Sequence, residues 1–596
     1  MMQQRKHPIR IGLVATAALA ALFAADAAAA QQRIFYIDYA GGDDAADGRS
    51  PATAWKYAPG DSRASGNAKA LNKKMQPGDV LRFRGGVRYM GAITPSGAGS
   101  AENPIVLDGS SWGSYRAVMD GGEALSGVRR CTSAADCLGS PYWKSLWRAN
   151  VPADADWSKW LFVDDRPLMP AQYPAVSTPG DFDDVDHFLT VPVSQTARMQ
   201  AGVIAQPLPA GLDAGSPVVA LWTQGNIISY ANGAEIGTSG VNLAGVTFTS
   251  GKLNPYTNRE NRFAIINAPM MVSRPGLFAI SPKHGVAIFW PVANGALPMA
   301  ALSRVNGNAS TMDVAPFSRV AVGGGRNGIN MALLKNAVVR GFSFANFARA
   351  RPVYASMSTE NIEISDNIIR GVANVPEHQG MININFGNTV RVLRNQLHEG
   401  PGTPGIVIAG AQGPVRVECN MLTDLGHTGI RLINSKGVTV RGNYLTRVRG
   451  VHANGISAYM DIRDTVISDN VIVDTDRPLT MHGYDTPYFS EGTPQWKIVN
   501  NVFVNVEPGS AAVSSWGKLE NASLIGNFLG SPGKALILNA SDRNVTISNN
   551  SMVGSIVQPK GGPTVDPSNA TLDPEGNGAA ILAQRRLATV RAGVCS

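Results

Sequence analysis

The chain has 596 residues, 44% of them hydrophobic and 16% charged, with a formal net charge of +8. Four cysteines in that length exclude a scaffold held mainly by disulfides. Outside the first thirty residues no apolar run is long enough to span a membrane, so a multi-span transporter is excluded as well.

The first thirty residues read as a cleavable export signal. Arg5, Lys6 and Arg10 form a positive start, Ile11 to Ala25 is a short apolar stretch, and Ala28-Ala29-Ala30 supplies small residues for cleavage before Gln31. A secreted or periplasmic location is expected. Removing three basic groups and one acidic group lowers the charge from +8 to +6. A basic exported chain suits an acidic polysaccharide better than a nucleic acid, and the mature chain is expected to be a monomer without a membrane span.

"FYIDYAGGDDAADGRSPATAWKY", Phe35 to Tyr57, opens the mature chain, followed by "QPGDVLRFRGGVRYMG" and "NPIVLDG". Asp43, Asp44 and Asp47 form an acidic, turn-rich loop, but no metal-ligand spacing accompanies it. Calcium is left open as a ligand, and no metal site is assigned. Residues 126–312 lack the repeat described next. In that stretch Cys131 and Cys137 are close enough to close a small loop. Trp143, Trp147, Trp157 and Trp160 suit either the core of a small domain or sugar stacking. "VGGGRNG", Val322 to Gly328, lacks the Lys-Ser/Thr of a phosphate loop.

A repeat dominates the second half. "NIEISDNIIRG", "VRVLRNQLHEG", "VRVECNMLTDL", "VTVRGNYLTRV", "TVISDNVIVDT", "WKIVNNVFVNV", "ASLIGNFLG" and "VTISNNSMVGS" share one column. It holds Asn367, Asn395, Asn420, Asn443, Asn470, Asn501, Asn527 and Asn550, with Gly341 as its first member. Apolar and polar residues alternate with period two, which predicts half-buried strands rather than a helical solenoid. The asparagines are expected to take the left-handed backbone of a sharp turn, as glycine does, and to bond to one another along the stack. Between successive asparagines there is room for about three short strands per turn. The fold class predicted is all-β: a right-handed, single-stranded parallel β-helix with an inserted β-rich domain and a short C-terminal helix. Cys419 lies in this strand pattern and is expected to pack as a small hydrophobe, whereas Cys595 has no evident partner.

These opening and repeating segments resemble the pectate-lyase-like superfamily of right-handed β-helices, whose members include lyases, hydrolases and epimerases. "LFVDDRPLMPAQYP" and "IINAPMMVSRPGLFAI" resemble segments of a β-domain inserted in some β-helical glycoside hydrolases. Those relatives commonly carry Leu-Asp before Pro-Gly-Glu-Trp, whereas this chain has Val272-Ser273-Arg274-Pro275-Gly276-Leu277-Phe278. The chain is thus expected to form a helix in two parts, 31–125 and 313–575, around an insert at 126–312, and its Ala-, Leu- and Gln-containing tail at 576–596 a short helix that caps the last coil.

Five of the eight histidines, His378, His398, His427, His452 and His482, fall between 378 and 482. Alternation in "GIRLIN", "GISAYMD" and "PLTMHGYD" turns Ile430, Leu432, Ile456, Ala458, Met460, Leu479 and Met481 inward. Arg431, Tyr459, Asp461 and His482 should then point outward on one face, with Asn383 and Asn385 joining it. Elimination across a uronate linkage needs a cation for the carboxylate, a base and an acid. Arg431, His482 and Tyr459 could fill those roles beside Asp461, with Asn383, His378, His427, His452 and Asp485 binding the chain. Inverting hydrolysis would instead use a separated carboxyl pair from Asp461, Asp485 and Glu377. A third reading is a glycan-binding β-helix without catalysis.

Overall fold

The computed structural model describes residues 32–572 and Cys595, except 154, 157, 177–181, 183, 225–226, 293–316, 357–358, 375–378, 484–487, 490–494 and 508. The expected export signal and C-terminal helix lie outside the described residues, as do Glu377, His378 and Asp485.

The fold is a right-handed parallel β-helix. Each coil contributes three short strands, and equivalent strands stack in parallel along the axis. One coil runs from Val415–Glu418 through Met421–Leu425 to Ile430–Lys436, and the next from Val438–Arg441 through Tyr444–Val448 to Asn454–Arg463. The first sheet, which leads into the asparagine column, contains 13 strands from Ile34–Ile37 to Thr546–Ser548. Ile105–Asp108 pairs directly with Leu333–Arg340, placing Val106 opposite Val338. The coils therefore close up across more than two hundred intervening residues as if these were absent. A single apolar core runs inside the coils from Phe35 to Met552, made largely of the isoleucines, valines and leucines at alternate strand positions. At the open N-terminal end, a short helix (Gly66–Leu71) buries Ala68 and Leu71 over the first coil.

The asparagines form a continuous buried ladder. Asn367 Nδ2 donates to Asn395 Oδ1 at 3.0 Å, Asn395 to Asn420 at 3.0 Å, and Asn420 to Asn443 at 3.0 Å. The pattern continues through Asn470, Asn501, Asn527 and Asn550 to Asn569, which the spacing did not single out. The left-handed residue is not the asparagine but the one before it: Asp366, Arg394, Cys419, Gly442, Asp469, Asn500, Gly526 and Asn549 all have φ between 56° and 67°, Arg394 excepted at 54°. Gly341 belongs to that preceding column, and Phe342 occupies the ladder position, its N–H donating to Asn367 Oδ1 at 3.0 Å. The turn needs a positive φ at one residue and a side-chain amide at the next, so two adjacent columns divide the task.

Among its described residues the insert is all-β apart from short helical turns. Its strands pair outward as far as Gly122–Ala124 and Val320–Gly323, both in one sheet with Trp160–Val163 and Arg166–Pro167. One of its cores includes Ala348 and Ala373 of the coils, which seats the insert on the corner after the second sheet. Trp160 is buried in that core, and Trp143 and Trp147 pack against it. Cys131 and Cys137 are disulfide-bonded. Cys419 is not a free hydrophobe: it forms a disulfide with Cys595, tying the chain's end to the ladder corner. The acidic opening loop is satisfied by backbone, since Asp44 accepts from Tyr57 N–H at 2.8 Å and Ser65 N–H at 2.9 Å. No helix among the described residues is long and apolar enough to cross a membrane.

Candidate active site

Arg431, Tyr459 and His482 do come together on the third sheet. Ile433, Tyr459 and His482 are in register on successive coils, while Arg431 aligns with Ser457 and Thr480 one row away. The Arg431 guanidinium lies 6.0 Å from the Tyr459 ring centre, and the Tyr459 and His482 rings are 5.1 Å apart. Arg431 is only 6% exposed, however, so it is largely covered. Burial pushes the His482 imidazole below its ordinary range, with the Lys518 charge acting the same way.

Asp461 does not join this cluster. Met460 has φ 68° and the pairing register shifts between Ile433 and Ser435, so a bulge breaks the alternation that would have turned Met460 inward and Asp461 outward. Asp461 is 9% exposed and fully engaged. Its oxygens accept from Arg463 at 2.8 and 2.9 Å and from the Tyr488 and Phe489 amides at 2.7 and 2.9 Å. That network holds a loop against the coil and removes Asp461 from either catalytic assignment. Asn383 is also inaccessible, buried on its strand with Nδ2 donating to Asn385 Oδ1 at 3.2 Å. His427 is buried, its Nδ1 accepting the Thr428 N–H at 2.8 Å, and its ring lies 6.0 Å from that of His452. It supports the corner rather than lining an edge.

A different constellation lies at that corner. Five successive coils carry a left-handed residue four positions after the ladder asparagine, at or beside the end of the second strand: Gly371, Glu399, Asp424, Arg447 and Asp474, with φ from 51° to 63°. His398 and Gly400 are in register with Thr423 and Leu425, so Glu399 and Asp424 stack directly, one coil apart at about 4.8 Å. The left-handed backbone lets the Glu399 side chain leave the strand towards Arg166 of the insert. Arg447 clamps Asp424 with two bonds, Nε to Oδ1 at 2.5 Å and Nη2 to Oδ2 at 2.7 Å. Glu399 has no such clamp: Arg166 of the insert and Arg370 approach only to 3.8 and 3.9 Å, and Glu399 Oε2 is buried without a hydrogen bond. Burial raises the Glu399 carboxyl, the charge of Asp424 adds to the rise, and the two arginines oppose it.

His398 lies beside the pair, and Asp476 follows two coils further along the same corner. His398 donates or accepts with Thr423 Oγ1 at 2.8 Å, and burial, reinforced by Arg370, pushes its imidazole down to about 4. Asp476, two residues after Asp474, is pushed up to about 7 by burial and the Glu507 charge. The Gly450 N–H and Arg449 pull it down, while Asp184 of the insert pushes it further up. Insert and coils thus converge on one band of carboxyl groups. Sequence reading by strand alternation missed this band, because left-handed residues at strand ends fall outside a period of two. The signal was a column of Glu, Asp, Arg and Asp at a fixed offset from the ladder. Among the described residues no group of three or more His, Cys, Asp or Glu side chains is placed to hold a metal ion.

Residues 380–552 match the family model described as right handed beta helix region. No curated protein sequence matches the chain. Among solved structures, one titled glycoside hydrolase is 12% identical with a TM-score of 0.46, covering 86% of this chain and 96% of that one. The complex of XylC with xylose is 9% identical with a TM-score of 0.42, covering 91% and 87%. A GH136 lacto-N-biosidase from Eubacterium ramulus is 9% identical with a TM-score of 0.35, covering 91% and 67%.

Proposed function

We propose that this β-helix is a carbohydrate-active enzyme that hydrolyses a glycosidic bond at the insert-facing corner, with Glu399 and Asp424 as its two carboxyl groups. One observation carries the reading: two stacked carboxyl side chains, one buried without a hydrogen bond on Oε2 and raised, the other clamped by an arginine. Environments that separate paired carboxyl groups divide acid from base work. Backbones on adjacent coils lie about 4.8 Å apart, so carboxyl groups on neighbouring coils suit the closely spaced pair of a retaining glycosidase, about 5–5.5 Å, better than the wider pair of an inverting one.

In this mechanism the Glu399 carboxyl gives its proton to the glycosidic oxygen as that oxygen leaves the anomeric carbon. The Asp424 carboxylate, oriented by Arg447, attacks the same carbon and forms a glycosyl ester. Glu399, now ionised, removes a proton from water, whose oxygen displaces Asp424 and releases the sugar. The Glu399→Gln and Asp424→Asn variants should each lose about 10²–10⁴-fold in turnover while keeping the fold. Wild-type turnover by either variant would remove the assignment.

A second reading, β-elimination of an acidic polysaccharide, has its own support in the proximity of Arg431, Tyr459 and His482 and in the lowered His482. There Arg431 would neutralise the uronate, neutral His482 would take the C5 proton, and Tyr459 would protonate the leaving oxygen. An ultraviolet-absorbing unsaturated product, lost on Tyr459→Phe, would favour this reading over hydrolysis.

A further inference from the structure

Away from the corner carboxyl groups, the third sheet carries an outward column that the hydrolytic reading does not use. Ile433, Tyr459 and His482 occupy it on successive coils. The next coil continues it with Trp516: Ser514 and Ser515 pair with Thr480 and Met481, and Trp516 N–H donates to Met481 O at 2.9 Å. Trp516, directly after the strand Ala511–Ser515, is 60% exposed, an unusual state for an indole. Its backbone is firmly placed, because Gly483 N–H donates to Gly517 O at 3.0 Å. Gly483 itself has no room for a side chain, since a Cβ there would meet Lys518 O at 2.2 Å. Neighbouring coils are therefore packed closely beneath a large exposed ring.

We propose that this column is a glycan-binding track, on which a linear, carboxylate-bearing polysaccharide lies parallel to the helix axis and stacks sugar faces on Tyr459 and Trp516. This rests on reading the chain as a glycan-cleaving enzyme, and adds a polymer-binding site separate from its corner. With His482 on the coil between them, Tyr459 and Trp516 stand two coils apart, about 10 Å, comparable to two sugar units of an extended chain. Aromatic faces meet the C–H face of a pyranose and leave its hydroxyl groups to solvent. Charge supports an acidic chain: Lys518 is exposed next to Trp516. Asp461, on the Tyr459 strand, is already paired with Arg463.

The test uses full-length Glu399→Gln protein, which separates binding from turnover, in affinity electrophoresis through gels containing polygalacturonate, alginate or neutral xylan. Retardation in at least one acidic polymer, weakened about tenfold by Trp516→Ala and largely restored by Trp516→Phe, is the expected result. In the Glu399-intact enzyme, Trp516→Ala should raise KM for that polymer and leave turnover of a short aryl glycoside unchanged. No retardation in either acidic polymer, or equal retardation of the Trp516→Ala protein, overturns the track. If the polymer is bound through Trp516 but never cleaved, the hydrolytic reading fails and the track stands.

Discussion

Asn443 sits in the middle of the ladder, and its replacement by alanine should destabilise the protein far more than its size suggests. Its Nδ2 donates to Asn470 Oδ1 at 2.9 Å and Val417 O at 2.8 Å, and its Oδ1 accepts from Asn420 N–H at 2.9 Å and Asn420 Nδ2 at 3.0 Å. Alanine leaves the Asn420 N–H and the Val417 carbonyl buried without these partners. Each buried unpaired group costs about 1–3 kcal/mol, so the loss should be about 2–5 kcal/mol. Asn569 makes similar bonds at the exposed end of the ladder, where water can replace them. Asn569→Ala should therefore cost about 1 kcal/mol or less. Equilibrium denaturant unfolding measures both, and hydrogen exchange at the Asn420 amide should speed up only in Asn443→Ala. Equal losses in the two variants, or a loss below about 1 kcal/mol at Asn443, would refute the ladder as a source of stability.

The Cys419–Cys595 disulfide closes a loop of 176 residues, so Cys595→Ser should lower stability by about 3–5 kcal/mol in chemical unfolding. No change in midpoint would show that the tether constrains little. Asp476 is raised in the fold to about 7 from an ordinary 3.8, so the native state holds its proton more tightly than the unfolded chain. Its contribution is full below about pH 4 and is lost as pH rises through 7, a change of up to about 4 kcal/mol. Asp476→Asn should flatten the decline in melting temperature over that window, and an unchanged decline would assign it to other groups. The raised Glu399 predicts that kcat/KM falls on an alkaline limb above the ordinary glutamate range. Removing the Asp424 charge, one cause of that rise, should move the limb to lower pH in the residual activity of Asp424→Asn.

How far sequence leads can be judged residue by residue. The β-helix was legible because the period-two alternation and the asparagine column both follow from burial and backbone satisfaction. The turn was misplaced by one residue, since a positive φ leaves little trace when Asp, Arg, Cys, Gly and Asn all adopt it. Tyr459 and His482 fall in register on one face because alternation holds in both strands up to those residues. Asp461 was not, because the bulge at Met460 has no sequence mark. The corner pair escaped a search along strand faces, although Glu399 and Asp424 each stand four residues after a ladder asparagine. Contact with Arg166 was out of reach altogether, because it joins residues 166 and 399 across the insert.

The stereochemistry of cleavage tests the central claim most directly. A panel of polysaccharides and oligosaccharides identifies one that is turned over, and proton NMR then follows the first anomer released before mutarotation. Stacked Glu399 and Asp424 predict a product that keeps the anomeric configuration of the substrate, with turnover lowered about 10²–10⁴-fold in Asp424→Asn. An inverted anomer, or an unsaturated product formed at full rate by Asp424→Asn, would contradict it.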